Sequence, residues 1–165
     1  MLSILNNDQL YTDKYFKTFE GYYNTGDSGM VDQDGYFSIM SRIDDVINTA
    51  GHRLSTGEME QALMLHPKIA EAIVIGANDE IKGEVPVGFV TMKAGYDFDP
   101  ATVEKEVVAL IRQEIGPVAS FKTCHVVPRL PKTRSGKYLR HIIRKMYNKQ
   151  KYEVPSTVED IEVVH

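Results

Sequence analysis

The sequence predicts an α+β fold, a small mixed β-sheet flanked by helices. Three observations carry it. The runs Ala70 to Gly76, Glu84 to Met92 and Lys122 to Val127 are short and rich in β-branched residues. Val103, Val107, Leu110 and Ile111 recur at helical spacing. The order of elements, strand, helix, strand, strand, helix, strand, helix, interleaves the two kinds within one layer system.

Residues 1 to 22 are polar and aromatic without a steady period, and no core can be built from them alone. From Gly26 to Ser41 the pattern is strand, turn, strand, with Asp34-Gly35 at the turn and Gly29, Val31, Tyr36, Phe37 and Ile39 around it. A calcium loop fails here, because Met30 and Ser41 fall at its first and twelfth ligand positions. A second hairpin spans Asn48 to Arg53, with Gly51 near its tip. Ser55-Thr56-Gly57-Glu58 is a capping box that opens a helix ended by Pro67. Pro86 places the Glu84 to Met92 strand on a sheet edge, since proline cannot donate to a ladder. Asp99-Pro100 caps and starts the next helix, and Gly116-Pro117 stops it.

The last element lies in LPKTRSGKYLRHIIRKMY, Leu130 to Tyr147. Leu139, Ile142, Ile143 and Met146 form its apolar stripe and Ser135 is its expected N-cap, which sets Lys137 in the first helical turn. An ammonium there would join the N–H groups and the dipole of a helix start in an anion site. A phosphate-cradling P-loop is excluded, because Pro131 and Tyr138 occupy positions that need glycine and a hydroxyl residue. A solvated basic helix face is the alternative.

The 165 residues are 42% hydrophobic and 25% charged with net charge -4, which fits one globular domain, or one plus a piece of another. The single cysteine, Cys124, excludes an intrachain disulfide framework and a cysteine metal cluster and favours a reducing compartment. The five histidines show no ligand spacing, so no metal site is expected. No apolar run approaches the roughly 18 residues of a membrane span, and the N-terminal residues lack the order of a signal peptide. Nine of the 19 basic residues lie between Arg129 and Lys151, a stretch free of Asp and Glu. Such a run serves either a nucleic acid or the phosphate of a small molecule, and stacking aromatics are sparse in it.

Three blocks in order, YNTGD (Tyr23 to Asp27), DQDGYFSIMSRIDDVINTAGHRLSTGEME (Asp32 to Glu60) and LPKTRSGK (Leu130 to Lys137), resemble the acyl-adenylate-forming enzymes. AGHRLS, HPKIAEA and PSTVED are similar to the short-chain acyl-CoA synthetases, of the acetyl- and propionyl-CoA type. The resemblance covers nearly the whole chain but only the C-terminal quarter or so of such an enzyme. It implies that residues 1–43 end a large ATP-binding domain as a β-hairpin remnant, that 44–150 form a mobile lid domain, and that 151–165 are a tail. It implies AMP-forming ligation of a short carboxylate, acetate or propionate, to CoA, with Mg-ATP and CoA as substrates and the missing N-terminal domain as partner. Neither nucleic acid nor membrane is an expected partner, and the expected location is the cytoplasm or mitochondrial matrix.

Residue by residue, the resemblance assigns Lys137 to the adenylation step, bridging the carboxylate oxygen and the α-phosphate. Asp27 and Arg42 are expected at the ribose and Arg53 near the ATP phosphates. Asp44 is the expected hinge. Gly51 is expected where the CoA pantetheine passes close to backbone, and Arg112 at the CoA nucleotide phosphate. The chain alone is expected to be inactive. The alternative class is a nucleic-acid-binding or partner-docking module that uses the basic C-terminal helix.

Overall fold

A computed structural model describes residues 3–164; the side chains of Met40, Ser41, Asp44 and Val164 are outside the described set. The chain forms two compact units, residues 1–44 and 45–165.

The first unit opens with helix α1 (Asp8–Tyr15), in a segment whose sequence shows no helical period. Asn7 accepts the Leu10 N–H as N-cap. No residue of this helix is buried, and its order comes from aromatic packing. Tyr15 stacks on Tyr23 with ring centroids 5.0 Å apart, and Phe16 meets Tyr23 edge-on at 5.5 Å. Strands β1 (Asp27–Val31) and β2 (Phe37–Arg42) pair antiparallel. Their turn is closed by Asp32, whose carboxylate accepts the N–H groups of Asp34 and Tyr36, with Gly35 at φ +87°. A short 3₁₀ turn, Ile43–Asp45, follows.

The second unit contains a five-stranded mixed sheet. Strands β3 (Val46–Thr49) and β4 (His52–Ser55) form a two-residue hairpin, and α2 (Thr56–Met64) follows with Ser55 accepting the Glu58 N–H. Next come β5 (Ile69–Asp79), β6 (Gly83–Met92), α3 (Pro100–Glu114), β7 (Thr123–Val126) and α4 (Arg140–Tyr147). The order is β4-β3-β6-β5, with β7 running parallel to β6 and all other pairs antiparallel. This is the small mixed sheet with flanking helices that the sequence predicts.

The pleat of β5 divides the core. Ala72 and Val74 face a cluster with Met59, Leu63, Val103, Val107 and Ile111, so α2 and α3 cover one face. Ile73, Ile75 and Ala77 face the other side with Val87, Leu130 and Ile143 of α4. The period of 2 in the strands and 3.6 in the helices thus fixes which residues meet.

Two expectations are corrected. The strand holding Pro86 is interior: β6 pairs with β5 along its whole length, with β3 at Gly83 and with β7 from Val87 to Val90. Pro86 is tolerated because it falls in the gap between the β3 and β7 pairings, where one side of β6 has no neighbour to serve. The second correction is the start of α4, which begins at Arg140 after Leu139 without a side-chain cap. Ser135 instead shares a hydrogen bond with Thr133 through their hydroxyls, 3.0 Å apart. Lys137 lies before the helix, so the helix dipole is not what serves it.

Candidate functional site

In the first unit, Asp27 and Arg42 are register partners across β1 and β2. Arg42 Nη1 donates to the Thr25 carbonyl at 2.7 Å and to Asp27 Oδ1 at 3.1 Å. Asp27 is ordered further by Thr25, whose hydroxyl accepts the Asp27 N–H at 3.2 Å. Gly26 is a residue that the sequence reading passed over. It holds φ +75°, and a Cβ there would lie 2.6 Å from Arg42 Nη2. The TGD block is therefore one device: the glycine lets the guanidinium lie against the turn, and the guanidinium holds the carboxylate. Both side chains remain partly open to solvent.

In the second unit, Lys137 sits on a hairpin, not on a helix. Lys132 and Tyr138 form an isolated bridge, and the loop between them is closed by Thr133 N–H to Lys137 O at 2.8 Å and Gly136 N–H to Thr133 O at 2.8 Å. The Lys137 N–H donates to Thr133 Oγ1 at 3.1 Å, and Gly136 takes φ +81°. Leu139 N–H reaches back to Pro131 O at 2.9 Å. These bonds consume the backbone groups that a helix through Lys137 would have used.

Residues 151–165, a tail in the sequence reading, pin the same hairpin. Arg134 N–H donates to Thr157 O at 3.0 Å, Glu159 N–H to Lys132 O at 2.9 Å, and Val158 bridges to Thr133. Tyr152, Val154 and Val158 pack on Leu139 and Ile142. Lys137 is thus an exposed ammonium on a fixed backbone, with no carboxylate partner among the described residues.

Its basic neighbours are spent differently. Arg129 pairs with Asp160, Lys132 with Glu71, Arg140 with both Asp45 and Glu60, and Arg144 with Glu84. Four of the nine cations in Arg129 to Lys151 are therefore neutralised within the fold. This weakens the reading of α4 as a phosphate-backbone surface, since paired cations release no counterions on binding. Burial is the largest influence on Glu60 and raises its carboxyl above the ordinary value, against the opposing Arg140 charge and the Val74 N–H. The hydrogen bond to Glu71 is the main cause that raises Lys132.

Gly51 and Ala50 form the β3–β4 turn with φ +84° and +47°. Both central residues are left-handed, as the twist of a two-residue hairpin demands. A Cβ on Gly51 would meet nothing within 4 Å, so its surface is open. The glycine is required by the turn; the structure adds that a ligand could approach its backbone. Arg53, two residues on in β4, is exposed and pairs through its backbone with Asn48. Arg112 stands on the exposed side of α3 and makes no ion pair with a described residue. Asp44 lies in the 3₁₀ turn at the unit boundary, and its side chain is outside the described residues. Asp27 and Arg42 are brought together, Gly51 and Arg53 share one hairpin, and Lys137 and Arg112 each stand on other elements.

Among the described residues no three His, Cys, Asp or Glu side chains gather as a metal site, and no helix is long and apolar enough to cross a membrane. Two features missed in the sequence are the Arg140–Asp45–Glu60 cluster and the Arg144–Glu84 pair. Their partners lie 60 to 95 residues apart, a separation that local pattern cannot bridge.

The chain matches the family of the AMP-binding enzyme C-terminal domain over residues 58–137, from α2 to the exposed lysine hairpin. Its similarity extends well beyond those residues. The acyl-CoA synthetase short-chain family member B, mitochondrial, of Dictyostelium discoideum is 53% identical over 158 residues, 96% of this chain and 23% of that protein. The acetyl-coenzyme A synthetase of Bdellovibrio bacteriovorus is 47% identical over 146 residues, 88% of this chain and 22% of that protein. The solved anthranilate CoA ligase AuaEII in complex with anthranoyl-AMP superposes with a TM-score of 0.76 at 26% identity, over 90% of this chain and 28% of that one. The chain spans about a quarter of the length of the curated relatives it matches.

Proposed function

We propose that this chain is the C-terminal part of an AMP-forming short-chain acyl-CoA synthetase, with acetate or propionate as the acid. In the first step a carboxylate oxygen attacks the α-phosphorus of ATP and pyrophosphate leaves. In the second, the CoA thiolate attacks the acyl carbon and AMP leaves with the bonding electrons. Mg²⁺ enters with the ATP phosphates as part of that substrate.

The observation that carries the reading is the state of Lys137, an ammonium with no carboxylate partner among the described residues, on a doubly pinned hairpin flanked by the paired cations Lys132 and Arg140. Such a group can approach the place where the carboxylate oxygen and the α-phosphate meet and offset charge that grows in the transition state. Asp27, held by Arg42, offers its carboxylate to the two ribose hydroxyls. Arg53 serves the ATP phosphates with a planar fork of donors. Gly51 leaves room for pantetheine, and Arg112 serves the CoA nucleotide phosphate. Asp44 is the pivot about which residues 44–150 turn between the two steps, against a large domain whose end is residues 1–43. The partner is the rest of the synthetase. The compartment is the cytoplasm or the mitochondrial matrix, and the mitochondrial name of the Dictyostelium relative supports the latter.

The test is a chimera in which this chain replaces the matching part of that Dictyostelium protein. Acid-dependent ATP–pyrophosphate exchange and acyl-CoA formation are measured with acetate, propionate and butyrate. The chimera is expected to catalyse both, and the isolated chain neither. An inactive chimera beside an active parent, or robust exchange by the isolated chain, overturns the proposal.

A further inference from the structure

Helix α4 carries two arginines one turn apart: one meets Asp45, the residue before β3, and the other reaches β3 through Glu84 of β6. Arg140, its first residue, donates from Nη1 to Asp45 Oδ2 at 2.6 Å and from Nη2 to both Glu60 oxygens at 2.7 and 2.9 Å. Asp45 immediately precedes β3 and opens the second unit. Glu60 is itself fixed, because its Oε1 accepts the Val74 N–H of β5 at 2.8 Å. Arg144 pairs with Glu84 Oε1, and the other oxygen of Glu84 accepts the Asn48 N–H at 3.1 Å. Asn48 is the residue of β3 just before the Thr49–His52 closing pair of the Gly51 hairpin.

Stability alone is a poor reason for this arrangement. The side chains of Arg140, Asp45, Glu60 and Glu84 are each about a quarter exposed or less, with 24%, 23%, 18% and 17% of their surface open. Charges drawn that far out of water recover little net energy over apolar packing, whereas removing one partner leaves another stranded. What Arg140 adds by bridging two carboxylates with its flat fork is direction, since each terminal nitrogen must meet its own acceptor. The Arg140 fork has used up its two terminal nitrogens, and its Nε is buried without a partner, so the pose is held from one end only.

The connections are short. Only Tyr138 and Leu139 separate Lys137 from Arg140. On the other side, three residues separate Asn48 from the far side of the Gly51 turn at His52. Helix α4 is therefore tied at its first turn to the entry of the second unit and at its second turn to the strand that leads into the glycine hairpin.

We infer that α4 is a strut whose arginines are positioning residues for separate steps. Arg140 fixes the Lys137 hairpin relative to Asp45, next to the pivot, and so governs adenylation. Arg144, through Glu84 and Asn48, fixes the Gly51 hairpin and so governs transfer to CoA. Neither arginine touches substrate. This inference rests on the function proposed above, and it adds that the two half-reactions draw on different salt links of a single helix.

Two measurements test it. The first uses the 165-residue chain and does not depend on activity: amide hydrogen exchange of the native chain, Arg140→Gln and Arg144→Gln. Arg140→Gln is expected to raise exchange tenfold or more at residues 45–47 and 133–138, with Asn48 to His52 changed less than threefold. Arg144→Gln is expected to do the reverse. The second uses the chimera with the Dictyostelium relative. There Arg140→Gln is expected to slow acid-dependent pyrophosphate exchange tenfold or more and to leave acyl transfer from supplied acyl-AMP within threefold, and Arg144→Gln the opposite. Arg140→Lys, which keeps the charge but cannot span Asp45 and Glu60 together, recovers less than half of the lost exchange rate and stands in if the glutamine variant does not fold.

Equal loss of both steps in both variants at an unchanged melting temperature overturns the strut, and so does a uniform rise in hydrogen exchange. A native chimera that forms no adenylate overturns the functional reading instead, while the exchange measurement on the chain still decides whether α4 couples the two hairpins.

Discussion

Replacing Lys137 by alanine is expected to separate the proposed function from stability. The backbone that fixes the loop survives the substitution, because Thr133 N–H still finds the residue 137 carbonyl and the residue 137 N–H still finds Thr133 Oγ1. Gly136 keeps its turn. The lost ammonium has no carboxylate partner among the described residues, so no charge is stranded. An exposed substitution of that kind is close to neutral, and the melting temperature of the chain should stay within about 2 °C. Adenylation should fall much further. Removal of one preorganised donor that meets developing charge costs about 10²- to 10³-fold in rate. The assay is the chimera, with acid-dependent ATP–pyrophosphate exchange for the first step and acyl-CoA formation from supplied acyl-AMP and CoA for the second. A large loss in exchange, little change in the second step and a steady melting temperature are expected. Equal loss in both steps, or a fall in melting temperature that accounts for the lost rate, refutes the role.

Other expectations follow from the same geometry. Gly51→Leu adds a side chain to open space but places it at φ +84°, so it should cost about 1 to 2 kcal/mol in turn strain and block transfer to CoA while adenylate still forms; unimpaired transfer counts against the pantetheine assignment. Cys124 is buried and its thiol is pushed up to about 12, so it should resist Ellman's reagent at pH 8 in the folded chain and react at once in urea. Gly88→Ala would set a Cβ 2.7 Å from Phe121 Cζ and 3.1 Å from Cys124 Sγ, and overpacking of that order costs about 1 to 3 kcal/mol. Labelling of Cys124 through unfolding should then quicken by about tenfold for each 1.4 kcal/mol lost, and an unchanged rate would show that the sheet yields there. Alkali should destabilise the chain: the folded thiol holds its proton to about 12 while the unfolded one releases it from 9.0, and the raised Lys132 contributes fully below 10.5 and is lost above it. Urea midpoints from pH 9 to 12 should fall, with Lys132→Gln flattening the upper part of that decline.

The contrast between what pattern could and could not foresee follows the range of the forces. Ser55 and Asp99 announce their helices because a cap acts over three residues, and both accept the expected N–H groups. Asp34-Gly35 announces its turn for the same reason. Helix α1 escaped because stacking among Tyr11, Tyr15, Phe16 and Tyr23 holds it, and such packing has no fixed period. Pro86 misled because a proline reports on one missing donor, and whether that donor was needed depends on a neighbouring strand supplied by residues elsewhere. Ser135 misled because Gly136 and the Leu139 to Pro131 bond favour a hairpin over one more helical turn.

The sequence by itself determined the element types of the second unit up to the Lys137 loop, the two-sided apolar pattern of its sheet and the identity of the chemical groups, since caps, turn glycines and periodicities are local and motif order is linear. Lys137, Asp27, Arg42 and Gly51 are all legible there. Only the tertiary structure decided that Lys137 rides a hairpin tied to residues 157–159, that Arg42 lies against Gly26 to hold Asp27, and that Arg140 and Arg144 are spent on Asp45, Glu60 and Glu84. A charge in a sequence is the same whether it faces water or a carboxylate 95 residues away; which one it meets is fixed only when the sheet closes and desolvation forces each buried charge to find its partner.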